Sequence, residues 1–209
     1  KAVISRALEN GLDHLKDDYA VVDEIPFDFT RRMLSVIVTD KSSHLKMITK
    51  GAVEEILNIC TKVSYKDEIS NITPEIKKNI KKISTDLNKD GLRVIAVCQK
   101  NDLRDTTMFN IDDEKNMILL GFIGFLDPPK ESAKSAIQKL NRAGIRVIVL
   151  TGDNAEVTEC ICKKVGINSK NIVQGNQIEN LADAGVLRLL KKTNIFVKLS
   201  PIEKARIVR

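Results

Sequence analysis

The spacing of apolar residues divides the 209-residue chain into two parts with different patterns. In the first part, apolar runs and alternating positions predict strands, which cover residues 33–39, 45–49, 92–98 and 118–125. A polar loop at residues 40–43 joins the first two strands, which indicates an antiparallel hairpin. Tyr19 to Ile25 has a mixed apolar pattern, and residues 62–74 form a variable polar segment for which no element is predicted.

Apolar residues at helical spacing predict three helices in the same part of the chain. One covers residues 2–12 and is closed by Gly11. A second follows Lys50-Gly51 and carries Val53, Ile56, Leu57 and Cys60 on one face. The third is rich in lysine and ends at Asp90-Gly91. Strands and helices are therefore not interleaved in regular order, which favours an antiparallel α+β domain.

At Asp127-Pro128-Pro129 the pattern changes to strands that alternate with helices, as in a parallel sheet. The first helix of this part is expected to turn Ala133, Ala136, Ile137 and Leu140 inward and to end at Gly144. Later strands are predicted at residues 172–173 and 195–199, helices at 155–165 and 181–190, and a last helix from Ser200-Pro201. With a boundary at residues 125–129, we expect domains of 1–126 and 127–209 and an α/β protein overall.

The stretch from Gly144 to Asn154 is the most informative segment of the second part. Its apolar residues predict a strand buried on both faces, which stops at Thr151-Gly152-Asp153. Ligands of parallel sheets bind beyond the carboxyl ends of the strands, and a hydroxyl beside a helix N-terminus favours an anion. Asp153 and Glu156 also have the spacing of a capping box. The segment alone therefore leaves a phosphate site and an ordinary helix cap about equally open.

Composition and charge narrow the possible functions. The apolar fraction of 43% and the charged fraction of 30% are typical of a globular protein, and the longest apolar run is too short to span a membrane. The net charge of +6 is spread along the chain, and no aromatic residues are interleaved with the lysines of 77–82, so nucleic-acid binding is disfavoured. The four cysteines and two histidines lack the spacing of a zinc site, and no metal site is predicted.

Several residues of the first part could contact a nucleotide. An exposed Phe29 beside Arg31 and Arg32 could stack on adenine while the arginines attend to the phosphates. These residues by themselves favour the alternative, a core or edge phenylalanine with solvated arginines. Lys50-Gly51 combines a cation with a close approach to the backbone, or is only the start of a helix. Arg93 follows a turn and could reach a ligand held by the sheet.

Lys204 is the candidate cation of the second part. It lies four residues after Ser200, and it would approach Thr151 and Asp153 if the preceding strand runs parallel to theirs. A hydroxyl and a cation could stabilise a transferring phosphoryl group.

Four motifs resemble those of P-type ATPases, and they occur in the order found in that family. They are Lys50-Gly51-Ala52, Gly91-Leu92-Arg93, Asp127-Pro128-Pro129-Lys130 and Thr151-Gly152-Asp153. The stretches 23–35, 51–57 and 125–131 most resemble bacterial magnesium-importing members. The resemblance covers essentially all residues. It implies an ATP-binding domain followed by part of a haloacid-dehalogenase-like Rossmannoid phosphorylation domain.

The resemblance implies a role for each matching position. Phe29 would stack on adenine, Lys50 and Gly51 would line the nucleotide pocket, and Arg93 would contact the ATP phosphates. Asp127 would lie at the interdomain hinge. Thr151, Gly152 and Asp153 would surround the phosphoryl group, which Lys204 would neutralise. ATP would bind with Mg²⁺ as MgATP.

Three departures from the family pattern qualify these roles. The Asp-Lys-Thr-Gly-Thr motif of the phosphorylated aspartate would precede Lys1, and the magnesium-binding Gly-Asp-Gly-x-Asn-Asp motif would follow Arg209. Ser5 stands where an acidic residue often contacts adenine, so the affinity for ATP is expected to be modest.

We therefore expect the cytoplasmic piece of a bacterial plasma-membrane pump, with the transported cation, most simply magnesium, bound by membrane helices outside this sequence. A pump for another cation such as calcium is the nearest alternative. A soluble phosphohydrolase of the haloacid-dehalogenase type, or a non-catalytic nucleotide-binding module, are alternatives of a different class.

Overall fold

The computed structural model describes residues 2–12, 15–66, 68–101, 103, 106 and 108–209. These residues pack as two compact units. The first unit comprises residues 1–81 and 95–123, and the second comprises 82–94 and 124–209. The domain boundary expected between residues 126 and 127 stays a prediction.

The described helices and strands alternate irregularly along the chain. The helices are α1 (Ala2–Glu9), α2 (Leu15–Asp18), α3 (Val53–Ile59), α4 (Pro74–Lys89), α5 (Ser132–Arg142), α6 (Ala155–Val165), α7 (Asp183–Lys192) and α8 (Pro201–Val208). The strands are β1 (Tyr19–Asp28), β2 (Met33–Asp40), β3 (Leu45–Gly51), β4 (Cys60–Tyr65), β5 (Glu68–Asn71), β6 (Leu92–Lys100), β7 (Met117–Leu126), β8 (Val149–Leu150), β9 (Ile172–Gln174) and β10 (Ile195–Val197). Among the described residues, none of the helices has the length and apolar character needed to cross a bilayer.

The first unit is built on a seven-stranded, mostly antiparallel sheet in the order β1-β2-β3-β6-β7-β4-β5. The predicted hairpin is confirmed, since β2 and β3 pair antiparallel from Thr39 opposite Leu45 to Met33 opposite Gly51. Strand β4 is parallel to β7. The antiparallel α+β architecture expected for this part of the chain is therefore present.

One face of this sheet forms the core of the first unit. Alternate side chains of β2 and β3 are buried, together with those of α3 that face them. The fully buried set is mostly aliphatic and contains Ile37, Met47, Ile56, Ala96 and Met117. Ser35 and Thr49 also lie at inward positions with no exposed surface, although both are polar.

Residues 62–74, for which the sequence predicted no element, contribute to two strands. Strand β4 begins at Cys60, and β5 pairs antiparallel with it, with Lys62 opposite Asn71. Every residue of β5 is exposed, because it lies at the edge of the sheet. Its backbone hydrogen bonds stabilise the strand without a buried side chain, so no apolar pattern marks it in the sequence.

The second unit contains a three-stranded parallel sheet in the order β8-β10-β9. Successive residues of β10 face opposite sides of it. Ile195 and Val197 pack with Cys162 of α6, whereas Phe196 packs with Val186 of α7 and Leu199. Helices therefore cover both faces, as the alternation of strands and helices predicted.

The strand expected before Thr151 is shorter and less buried than predicted. Only Val149–Leu150 is a strand, its two residues are half-buried, and Ile145 is 53% exposed. The reason is that β8 is an edge strand with one neighbour, β10, so its apolar residues are not enclosed on all sides.

The inward face predicted for α5 is present only in part. Ala133 and Ile137 are half-buried, whereas Ala136 and Leu140 are exposed, and the helix has no fully buried residue. The helix packs mainly against α6.

Candidate functional site

The turn between β1 and β2 carries the first group of candidate residues. The Asp28 carboxylate accepts hydrogen bonds from the backbone amides of Thr30 (2.9 Å) and Arg31 (2.7 Å). The amide of Arg32 donates to the Asp28 carbonyl at 2.7 Å. This local network explains why the chain reverses here, since aspartate side chains commonly bond backbone amides two and three residues ahead.

Gly51 lies directly against this turn. A Cβ atom at this position would come within 2.6 Å of the Arg32 carbonyl oxygen and 2.6 Å of the Met33 Cβ. The amide of Ala52 donates to the same carbonyl at 3.0 Å. Only glycine allows the two segments to approach so closely. The turn with Phe29 and the Lys50-Gly51 motif, which are separate in sequence, are therefore neighbours in the first unit.

Phe29 is 64% exposed, which excludes a core phenylalanine but not the alternative of an edge one. Phe27 is 50% exposed, and its ring lies 5.2 Å from that of Phe29 in an edge-to-face arrangement. The sequence analysis selected Phe29 alone and missed Phe27. Two exposed rings on one turn form an apolar surface that a flat base could stack against.

The two arginines of this turn already have carboxylate partners. Arg31 forms a hydrogen-bonded ion pair with Glu114, and its second terminal nitrogen donates to the Pro26 carbonyl at 2.8 Å. Arg32 lies 3.6 Å from Glu55. The phosphate contacts expected of both arginines stay predictions. Lys50 is exposed, and its ammonium group is available to a ligand.

Sequence reasoning missed Glu114 entirely. Its side chain is only 3% exposed and accepts a hydrogen bond from the Ser35 hydroxyl at 2.6 Å. Ser35 in turn lies 2.7 Å from the hydroxyl of Thr49. The signal that could have revealed this buried polar network is the presence of Ser35 and Thr49 at inward positions of otherwise apolar strands.

The segment Thr151-Gly152-Asp153 directly follows β8, at the carboxyl end of the parallel sheet, as predicted. Its backbone is bonded to the end of β10, since the Lys198 and Leu199 amides donate to the Asp153 and Thr151 carbonyls at 2.8 and 3.0 Å. The predicted capping box was wrong. Asn154 caps α6, because its side chain accepts from the Val157 amide at 3.0 Å.

Asp153 is bound by two groups of the second unit. Arg93 forms an ion pair with it: a terminal nitrogen donates to Oδ2 at 2.9 Å, and Nε lies 2.7 Å from Oδ1. The Thr151 hydroxyl donates to Oδ2 at 2.9 Å. Two motifs 60 residues apart, Gly91-Leu92-Arg93 and Thr151-Gly152-Asp153, therefore meet at one carboxylate. Charge-assisted contacts of this kind are the ones that arginine makes with carboxylates and phosphates alike.

Lys204 lies in the first turn of α8, which begins with a complete capping box between Ser200 and Glu203. Strand β10 is parallel to β8, as the prediction for Lys204 required. In the described part of the chain, no hydrogen bond or ion pair joins its ammonium group to Thr151 or Asp153. Asp127 is exposed and immediately follows β7. The roles of both residues stay predictions.

The described residues offer no resident metal site, since nowhere among them do three His, Cys, Asp or Glu side chains come together as ligands. The four cysteines are thiols, and Cys60, Cys98 and Cys162 are buried. The neighbouring Cys60 thiol, followed by burial, raises the pKa of Cys98 far above its ordinary value.

Comparisons with known proteins agree with the motifs. A family model described as "P-type ATPase, cytoplasmic domain N" matches residues 2–132. The magnesium-transporting ATPase, P-type 1, of Escherichia coli (strain K12) is 39% identical over 99% of this chain, which is 23% of that protein. The protein of the same name from Salmonella typhimurium (strain LT2) is 38% identical over 99% of the chain and 23% of its own length.

A more distant relative is the calcium-transporting ATPase 1 of Bacillus cereus. It is 30% identical over 94% of this chain and 22% of its own length. The chain thus spans less than a quarter of the length of each of these three relatives.

Proposed function

The chain belongs to the P-type ATPase family, and on that premise we propose that it is the ATP-binding part of a magnesium-transporting pump. In the whole protein, ATP would phosphorylate an aspartate, and the resulting conformational change would move the cation. Magnesium is favoured over calcium because the magnesium-transporting relatives are 38–39% identical and the calcium-transporting one is 30% identical. The chain would lie on the cytoplasmic side of a bacterial plasma membrane.

One arrangement in the first unit supports ATP binding. The exposed rings of Phe27 and Phe29 stand on a turn that packs against Gly51, next to the exposed Lys50. An aromatic surface for the base beside a cation for the phosphates is the combination that a nucleotide requires. Phe29 would stack on adenine, Lys50 would attract the phosphates, and the neighbouring Arg31 and Arg32 are the further candidates in this unit. The phosphate contact that the family resemblance implies for Arg93 stays a prediction.

The second unit would be part of a haloacid-dehalogenase-like phosphorylation domain. The position of Thr151, Gly152 and Asp153 at the carboxyl end of a parallel sheet supports this assignment. These residues would surround the phosphoryl group, Lys204 would neutralise it, and Asp127 would serve as the hinge. Mg²⁺ would arrive as MgATP and would offset the negative charge of the phosphates.

ATP binding can be tested by calorimetric titration of the chain and of Lys50→Glu. Reversal of a charge beside the phosphates should weaken ATP binding by about tenfold or more, which corresponds to about 1.4 kcal/mol. Lys62→Glu is the matched control, because Lys62 is equally exposed and lies on β4, three strands away in the same sheet. Equal affinities for all three proteins would remove Lys50 from the site.

A phosphate-release assay separates this proposal from a soluble phosphohydrolase. The chain has no Asp-Lys-Thr-Gly-Thr motif, and we expect it to bind ATP without sustained turnover. Continued hydrolysis of small phosphomonoesters would favour the phosphohydrolase instead.

The proposed cation can be tested in vesicles that contain the whole pump. ATP-driven movement of Mg²⁺ rather than Ca²⁺ is the expected result.

A further inference from the structure

Glu114 is a buried carboxylate of the first unit with only one cationic partner among the described residues. Its side chain is 3% exposed, and the Arg31 guanidinium that faces it is 20% exposed. A buried charge is destabilising unless it is paired and hydrogen-bonded. Removal of one partner therefore leaves the other as an unpaired buried charge. Glu114 is satisfied on both oxygens, by Arg31 on one and by the Ser35 hydroxyl on the other.

Arg31 connects this carboxylate to the turn that carries the two phenylalanines. One terminal nitrogen binds Glu114, and the other donates to the Pro26 carbonyl at 2.8 Å, directly before Phe27. On the far side of the turn, the Asp28 carboxylate accepts from the Arg31 amide at 2.7 Å. The side chain and the backbone of one residue therefore tie both ends of the segment 26–31 to a buried anchor.

The two rings need such an anchor because their own burial does not fix them. Phe27 is 50% and Phe29 64% exposed, and the two rings contact each other edge to face. An exposed ring pair on an unsupported turn would have many conformations, and the cost of ordering them would be subtracted from the binding energy of any base.

We propose that Glu114 is a positioning residue for the nucleotide site, and that through Arg31 it holds the turn so that Phe27 and Phe29 are ordered before adenine binds. This inference rests on the proposed function. It also gives Arg31 a different task from the phosphate contact expected from its position beside Phe29, because its guanidinium acts on the turn rather than on the phosphates.

The test compares affinities for adenosine and for ATP in Glu114→Gln, which keeps the size of the side chain and removes its charge. We expect both affinities to fall by the same factor, roughly tenfold, because the loss is at the base and not at the phosphates. Arg31→Met should reproduce this loss. The double variant should bind no more weakly than the weaker single variant, since both changes break one connection.

Ser35→Ala is the matched control. It removes a hydroxyl that contacts Glu114 and Thr49 in the core but leaves the ion pair between Glu114 and Arg31 in place. We expect Ser35→Ala to lower the melting temperature and to keep both affinities within about twofold of the original chain, because its effect is on core stability.

A spectroscopic signature reports the position of the rings directly. In protein labelled with ¹³C at phenylalanine, the ring resonances of Phe27 and Phe29 should move toward the values of free phenylalanine in Glu114→Gln and stay in place in Ser35→Ala. If Glu114→Gln does not fold, the same measurement is made on Arg31→Met, which breaks the same connection from the other partner.

Three results would overturn the inference. Unchanged ring resonances in a folded Glu114→Gln or Arg31→Met would mean that the pair does not position the turn. A loss of ATP affinity without a loss of adenosine affinity would place Arg31 on the phosphates. A lower melting temperature with full affinity for both ligands would make Glu114 purely structural. If the original chain binds neither ligand, the proposed function fails, while the ring resonances still decide whether Glu114 orders the turn.

Discussion

At the scale of single residues, Gly51 shows how a side chain can be excluded by contacts elsewhere in the chain. The space where its Cβ would lie is occupied by the backbone of Arg32 and Met33, which has little freedom to move. The same contact brings Lys50 next to the turn of Phe29. The close approach of the two segments therefore both requires glycine at position 51 and assembles the candidate nucleotide site.

We predict that Gly51→Ala destabilises the first unit by roughly 1–3 kcal/mol, as is typical when an atom is forced into a packed site. The new Cβ would meet the Met33 Cα within 2.9 Å and push the turn away from β3. Urea denaturation measures the loss. Lys50→Ala is the control, because it changes an exposed neighbouring side chain and should leave stability within about 0.5 kcal/mol of the original. Equal stability of Gly51→Ala would mean that the turn moves freely.

At the scale of secondary structure, the start of α6 illustrates two adjacent residues with separate tasks. A helix cap was one of the two roles that the sequence left open for Asp153, but its carboxylate binds Arg93 and Thr151 instead. Asn154, one position later, supplies the cap. Because Asn154 caps the helix, the Asp153 carboxylate can bind Arg93 and Thr151. This arrangement is compatible with the phosphoryl-binding role proposed for Thr151-Gly152-Asp153.

We expect Asn154→Ala to destabilise the second unit by about 1 kcal/mol, the usual cost of losing an N-cap. The Val157 amide would lose its partner at 3.0 Å. Asn154→Asp preserves an acceptor oxygen at the cap and should be close to the original in stability. Thermal denaturation followed by circular dichroism compares the three proteins, and an unchanged Asn154→Ala would argue that another group caps the helix.

At the scale of the whole molecule, the four cysteines differ in how accessible their thiols are to solvent. Cys60, Cys98 and Cys162 are buried, and Cys160 is half-buried. Burial raises the pKa of Cys162, and the Cys60 thiol together with burial raises that of Cys98. Because the thiolate is the reactive form, these buried thiols should react slowly with disulfide reagents in the folded protein.

We therefore predict that Cys160 reacts first in the folded chain and that all four thiols react in denaturant, as mass spectrometry of the modified peptides can establish.

The raised pKa values of Cys98 and Cys162 also imply that the stability of the protein depends on pH. Above a pH of about 8.5 the unfolded chain releases thiol protons that the folded chain retains, so the free energy of unfolding should fall as the pH rises. Below that pH the contribution is fully present. A Cys98→Ala variant should show a smaller fall between pH 8 and 10, and an identical fall would exclude Cys98 as a cause.

The family and the order of its motifs could be predicted from the sequence, because these depend on residues that are close together along the chain. Lys50-Gly51-Ala52 and Thr151-Gly152-Asp153 are local patterns, and so is the alternation that predicted the β2–β3 hairpin. Elements that depend on their neighbours were predicted less well. The exposed strand β5 and the only partly buried apolar face of α5 both differ from the pattern because of their position in the fold.

The sequence alone determined which segments alternate, where the glycine turns lie and which family the motifs match, since periodicity and short motifs are properties of consecutive residues. Only the tertiary structure decided which charges meet. Glu114 reaches Arg31 across 83 residues and Ser35 across 79, and Arg93 reaches Asp153 across 60. No local pattern encodes such pairs, because they arise when the packing of separate strands and helices brings buried charges together and each must find a partner.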